Sequence, residues 1–163
     1  MGIIVLLAAI AAVCWQRFCP PPTVLEVCLP TYESFVKNRG RTDLPATAHD
    51  IRFVWADCGF SGHATVCRFE APLGDLQAYA VAEAKRHAPA EASAARLSKL
   101  TAAASQPDLT AYGIRPSTLK WFDVERIEEG LVLDRTDKHQ PFTWIDTRRK
   151  VLYSYWTDSA VAP

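Results

Sequence analysis

The sequence predicts an α+β domain: a mainly antiparallel sheet of about five strands with two or three helices packed on one face, preceded by an N-terminal apolar helix. Three observations lead there. Short runs rich in β-branched and aromatic residues are separated by turn residues, the pattern of hairpins. Between the early and the late strands lie stretches with apolar residues at helical spacing. Every obvious strand connection is a hairpin, which favours antiparallel pairing with the helices gathered on one side.

Ile51 to Cys58 and Ala64 to Phe69 are the first two strands, and Gly59-Phe60-Ser61-Gly62-His63 supplies the glycines of the turn between them. Pro72 opens a helix in which Leu73, Leu76 and Ala80 share a face. Lys85, Arg86 and His87 fall in its last turn, where positive charge suits the helix dipole, and Pro89 ends it. Glu91 to Ser105 is alanine-rich, with Leu97, Leu100 and Ala104 at helical spacing, and reads as a second helix closed by Pro107. Pro116-Ser117-Thr118 fits the cap of a short third helix, while Phe122 to Ile127 also suits an extended segment, and the choice stays open. Leu131 to Arg135, Phe142 to Asp146 and Val151 to Thr157 read as three further strands, the last two joined around Thr147-Arg148-Arg149. Trp55, Trp144, Tyr153, Tyr155 and Trp156 are expected to supply much of the core.

The 163 residues suffice for one core, and 49% hydrophobic with 22% charged residues is a folded rather than a disordered composition. The 18 basic residues balance the 18 acidic ones, so no net field favours nucleic acid, and no nucleic-acid partner is expected. Alanine is abundant, arginine outnumbers lysine and Asn38 is the sole asparagine, a bias associated with GC-rich bacterial genomes.

Ile3 to Trp15 is apolar throughout, until Gln16 and Arg17 stop it. Thirteen residues at helical rise cover about 20 Å, against about 30 Å of bilayer hydrocarbon. That is short for a spanning helix and suits the apolar centre of a signal peptide. A cleaved signal peptide lacks a basic start here. An uncleaved anchor fits the abrupt polar stop, with Trp15 at the interface. A lipoprotein signal would put the lipid on Cys14, although Val13 stands where a small residue is wanted. Myristoylation fails because Leu6 occupies the Ser/Thr position. An ordinary buried helix is the plain alternative, disfavoured because nothing polar lines either side. The organisation expected is a signal anchor or signal peptide over residues 1–17, a proline-containing spacer and loop over 18–45, and a single globular domain over 46–160. Cys19-Pro20-Pro21-Pro22 stiffens the spacer.

Cys58 and Cys67 stand at mirrored positions about the Gly62-His63 turn, so in one register they face each other and form a disulfide. Two buried thiols are the competing reading. Cys58, His63 and Cys67 would offer three zinc ligands, but a structural zinc wants four, typically in close pairs. A disulfide would need an oxidising compartment, which agrees with export. Gly59-Phe60-Ser61-Gly62 has the wrong spacing for a nucleophile elbow, and Ser61 reads as a turn residue. The acid–base candidates are Asp123 with Glu125, Glu128 with Glu129, and Asp146, served by His49, His87 or His139; solvated charge is the simpler account of each. Phosphate-loop, dinucleotide and metalloprotease patterns are absent, so no catalytic, cofactor-binding or metal residues are assigned and no cofactor is expected.

These observations lead to a membrane-tethered extracytoplasmic domain, non-catalytic, whose partners are the membrane through its N-terminal segment and a protein, an envelope component or a small ligand. Two alternatives stand beside it. One is a small enzyme, a hydrolase or a thiol redox protein, using His63 or His49 with a nearby carboxylate or a cysteine pair. The other is a membrane adaptor facing the cytoplasm. A concave pocket in which the histidines and carboxylates converge is the feature that would favour the enzyme.

Overall fold

A computed structural model describes residues 22–39, 43–58, 62–89, 95–135 and 140–158. Strand β1 (Thr23–Thr31) leads into helix α1 (Tyr32–Arg39), then β2 (His49–Asp57) and β3 (His63–Glu70). Helix α2 (Leu73–His87) follows, then β4 (Arg96–Lys99), a long irregular segment, β5 (Gly130–Asp134), β6 (Phe142–Asp146) and β7 (Val151–Thr157). All seven strands join one sheet in the order β1-β2-β3-β7-β6-β5-β4, antiparallel at every step.

The sheet is buried on both faces. On one side Ile51, Phe53, Phe69, Leu152 and Ile145 pack under Phe35 of α1 and Leu76, Tyr79 and Ala80 of α2. On the other, Val54, Val66, Trp144 and Tyr153 pack under Leu109, Ile114, Leu119 and Phe122 of the irregular segment. That segment has only three short 3₁₀ turns, Thr110–Tyr112, Pro116–Leu119 and Val124–Arg126. Its backbone is satisfied partly by a side chain: Gln106 Nε2 donates to the carbonyls of Leu119 at 2.7 Å and Phe122 at 3.4 Å.

Five strands lie where the alternation places them, and α2 starts after Pro72 as expected. The rest of the expected architecture needs correction. The sheet has seven strands rather than about five, and two α-helices occur among the described residues. The expected helix over Glu91 to Ser105 is replaced by β4. Leu97 and Leu100 lie three apart and pack toward opposite faces of the sheet, as strand geometry requires, instead of sharing a helical face. Pairing with β5 outweighs alanine's helix propensity: Ser98 Oγ donates to Asp134 Oδ1 at 2.6 Å and Arg96 meets Asp134 at 3.2 Å. The short helix suggested at Pro116 is a 3₁₀ turn with proline at its start. β1 lies inside the stretch read as spacer and forms the sheet's edge, while α1, over the Thr31 to Lys37 stretch whose sequence allows a turn or two of helix, forms part of its cover.

The apolar N-terminal helix, Ile3 to Trp15, and with it the lipidation reading of Cys14, lie outside the described residues. Among the described residues no helix is long and apolar enough to cross a membrane. The transmembrane helix, the membrane localisation and the tether built on it are therefore withdrawn: an apolar run in the sequence is not by itself a spanning helix.

The β2–β3 register pairs Phe53 with Cys67 and Asp57 with His63. Alternation then sends Cys58 to the face covered by the irregular segment and Cys67 to the face covered by the helices. The pair does not face across the hairpin and no disulfide joins it. A mirror position in sequence becomes a shared face only when the turn length keeps the parity, and here it does not.

Candidate functional site

The helix-covered face is not filled evenly, and sequence explains why. Neighbours in register form rows across the sheet. One row runs Leu25, Trp55, Thr65, Trp156, and the next runs Phe53, Cys67, Ser154, Thr143. Under the first half of α2 the sheet offers large residues, and Phe69 meets Tyr79 edge-to-face with ring centres 5.1 Å apart. Under the second half it offers the smaller residues Thr65, Cys67 and Ser154. The result is a cavity of about 200 Å³ with those three as its floor. Trp55 and Phe53 wall one side and Trp156 the other, while Phe35, Leu44, Tyr79, Glu83, His87 and Pro141 complete the lining with Asp43 and His63.

Two histidine–carboxylate pairs meet at Trp156. Glu83 and His87 are one turn apart on α2, so both project over the cavity, and His87 Nε2 lies 3.2 Å from Glu83 Oε1. Arg86 holds the other oxygen of Glu83 and reaches Asp43 at 3.3 Å, tying the helix end to the loop before β2. His63 opens β3, and its Nδ1 lies 2.8 Å from Asp158 Oδ2. Asp158 also accepts from the His63 backbone N–H at 2.5 Å, and its own N–H donates to the His63 carbonyl at 3.1 Å. This reciprocal clasp fixes Asp158 just beyond the end of β7. The Trp156 ring is 4.6 Å from His87 and 5.1 Å from His63, centre to centre. Glu83 is 9% exposed, so its two partners are what make a buried carboxylate tolerable there. Burial, with Cys67 and Glu83 close by, drives the Tyr79 phenol well above its ordinary pKa, keeping it a neutral donor.

Of the residues singled out in the sequence, His63, Cys67 and His87 share this cavity. Cys58 lies across the sheet from them, so the three-ligand zinc arrangement with His63 and Cys67 does not form. Burial, together with Asp57, raises the Cys58 thiol's pKa, which keeps it protonated and unreactive. Ser61 and His139 lie outside the described residues. His49 is exposed at the far end of the hairpin, its Nδ1 2.8 Å from the Glu70 carbonyl. Glu83 and Asp158 escape the sequence reading. The first was legible as the residue four before His87; the second is brought in by the β3–β7 pairing, which no local signal announces.

The carboxylates proposed for acid–base work serve structure instead. Asp123 accepts from Tyr153 Oη at 2.7 Å and from Arg149 at 3.0 Å, and Asp146 takes Arg149 Nε at 2.6 Å. Burial alone would raise the Asp123 pKa, but the bonds from Tyr153 and Arg149 outweigh it and hold the carboxyl below its usual range. Burial first, then the bond to Asp123, pushes the Tyr153 phenol up to about 12. Arg68 on the same face is clamped by Asp50 and Glu70, the latter at 2.7 Å. Glu128 pairs with Arg148 at 2.7 Å on the open surface, and Glu125 accepts from the Gln106 N–H at 3.2 Å.

Comparison with protein families, characterised proteins and solved structures finds no match for the chain.

Proposed function

We propose that this domain binds a small organic molecule in the cavity between α2 and the sheet. One observation carries the reading: an aromatic-walled cavity of about 200 Å³ in which two histidine–carboxylate pairs converge on Trp156. Concave, mostly apolar sites with a few converging polar groups are where small ligands bind, and drug-sized ones fill about 300–1,000 Å³. The smaller volume here selects a smaller ligand. This carries forward the binding role expected from the sequence, without the membrane tether.

A second reading is favoured by the His63–Asp158 pair alone. With Nδ1 engaged by the carboxylate, proton exchange with a bound molecule falls to Nε2, the arrangement general acid–base catalysis uses. Cys67 and His63 are four residues apart on one strand, about 13 Å along the chain, so they do not form a nucleophile–base pair. A reaction here would move a proton on the ligand itself.

The test is a fragment screen on the full chain, read by the indole N–H signals of Trp55 and Trp156. Thr65→Phe, which fills the floor, is the blocking variant. Ligands that shift both indoles and lose binding in the folded Thr65→Phe protein support the reading. Fragments that bind equally to both proteins would place the ligand elsewhere.

A further inference from the structure

We infer that the ligand is a small organic cation, an ammonium group carrying alkyl substituents; this rests on the cavity being the binding site. Two features of the lining choose the charge. Asp43 and Glu83 line the cavity, and no lysine or arginine does so among the described residues. Arg86 reaches both from outside the lining, one guanidinium for two carboxylates. An anion would meet two carboxylates that share one guanidinium, with the imidazoles of His63 and His87 already held by Asp158 and Glu83. A cation meets them with its charge matched.

The walls choose the chemistry. Trp55 and Trp156 stand in one row with only Thr65 between them, two strand spacings or about 9.5 Å apart at the backbone. An alkylated ammonium group seated over Thr65 meets an indole on either side, and aromatic faces attract such cations while the alkyl groups bury apolar surface. The chain itself provides a precedent on the same wall: the Arg39 guanidinium stands 5.2 Å from the centre of the Phe53 ring. A strongly hydrated inorganic cation would gain nothing from indoles and would want several oxygen ligands. Among the described residues no group of three or more carboxylate, histidine or cysteine side chains is placed to hold a metal ion.

The experiment uses three probes of like shape and different charge on the full chain: tetramethylammonium, tert-butyl alcohol and pivalate, at pH 8 and constant ionic strength. The indole signals of Trp55 and Trp156 are the readout. Tetramethylammonium should saturate the shift at a concentration at least tenfold below tert-butyl alcohol, and pivalate should compete with neither. Glu83→Gln should weaken tetramethylammonium at least fivefold, and by a larger factor than it weakens tert-butyl alcohol. Asp43→Asn, in the loop before β2, repeats the test should the helix variant fail to fold. If tert-butyl alcohol or pivalate binds as tightly as tetramethylammonium, the charge assignment is overturned while the cavity reading stands. If no probe moves either indole, both fall.

Discussion

Replacing Tyr153 with phenylalanine tests how the sheet is fastened to its irregular cover. Tyr153 is fully buried, and its hydroxyl donates to Asp123, a residue of the cover, at 2.7 Å. A hydrogen bond to a charged group contributes roughly 1.5–3 kcal/mol. Arg149 still holds Asp123 at 3.0 Å in the variant, which places the expected loss near the lower end, about 1.5 kcal/mol at pH 7. The pH dependence gives a second measure. The folded phenol titrates near 12 rather than 10, so between those values the unfolded chain has lost a proton that the folded one keeps. The unfolded state binds fewer protons there, and stability falls as pH rises. Two pKa units correspond to about 2.7 kcal/mol, fully present below pH 10 and lost by pH 12. Burial and Tyr79 and Tyr155 add alkaline sensitivity of their own, so the informative quantity is the difference between wild type and Tyr153→Phe. Urea denaturation at half-unit steps from pH 7 to 12 measures it, with tyrosinate absorbance reporting the titration. An advantage of about 1.5 kcal/mol at pH 7 should vanish at about pH 11 and reverse by pH 12, because the alkaline loss of about 2.7 kcal/mol exceeds it. Parallel stability curves across that range, or a loss below about 0.5 kcal/mol at pH 7, would refute the role given to this bond.

Phe69→Ala should cost about 3–5 kcal/mol in the same denaturation assay, because it removes a fully buried ring that Tyr79 packs against edge-on. Gly130→Ala should cost about 1–3 kcal/mol, since a Cβ there would meet the Ile145 carbonyl oxygen at 2.6 Å across the β5–β6 pair. Asp134→Ala should loosen β4 selectively, seen as faster amide exchange at Leu97 and Lys99 with β2 and β3 unchanged, because Asp134 binds both Arg96 and Ser98. Adding a reductant should leave the melting temperature unchanged if Cys58 and Cys67 are free thiols; a drop of several degrees that disappears in a Cys58→Ala or Cys67→Ala variant would show that the replaced cysteine is cross-linked.

Strands were legible where one face meets a core and the residues are β-branched or aromatic, as in His49–Asp57 and Val151–Thr157. Thr23–Thr31 was not, because it is held by pairing eight of its nine residues with β2 while nearly all its side chains are exposed, so no alternation records a buried face. Arg96–Lys99 was masked by alanine-rich surroundings and by a leucine spacing that serves two faces. The cavity was half legible. Glu83 and His87 follow from helical spacing, and His63 and Cys67 from the hairpin. Its emptiness comes from Thr65, Cys67 and Ser154 lying side by side, and that adjacency exists only once β3 and β7 pair. Apolar length was the poorest guide: Ile3 to Trp15 dominated the functional expectation, and that run lies outside the described residues.

The position of β7 has a consequence for how the protein is made. It is the last of the seven strands to leave the ribosome, yet it sits at the centre of the sheet, flanked by β3 and β6. Its pairing with β3 joins Ala64 to Thr157, a separation that makes loop closure costly and folding slow. Until it arrives, β1 to β3 and β4 to β6 are two partial sheets, each with an open apolar edge. A chain truncated before Val151 lacks the strand that joins β3 to β6 and the Ser154 and Trp156 side chains of the cavity, and an unpaired strand edge of that kind is a general hazard for aggregation.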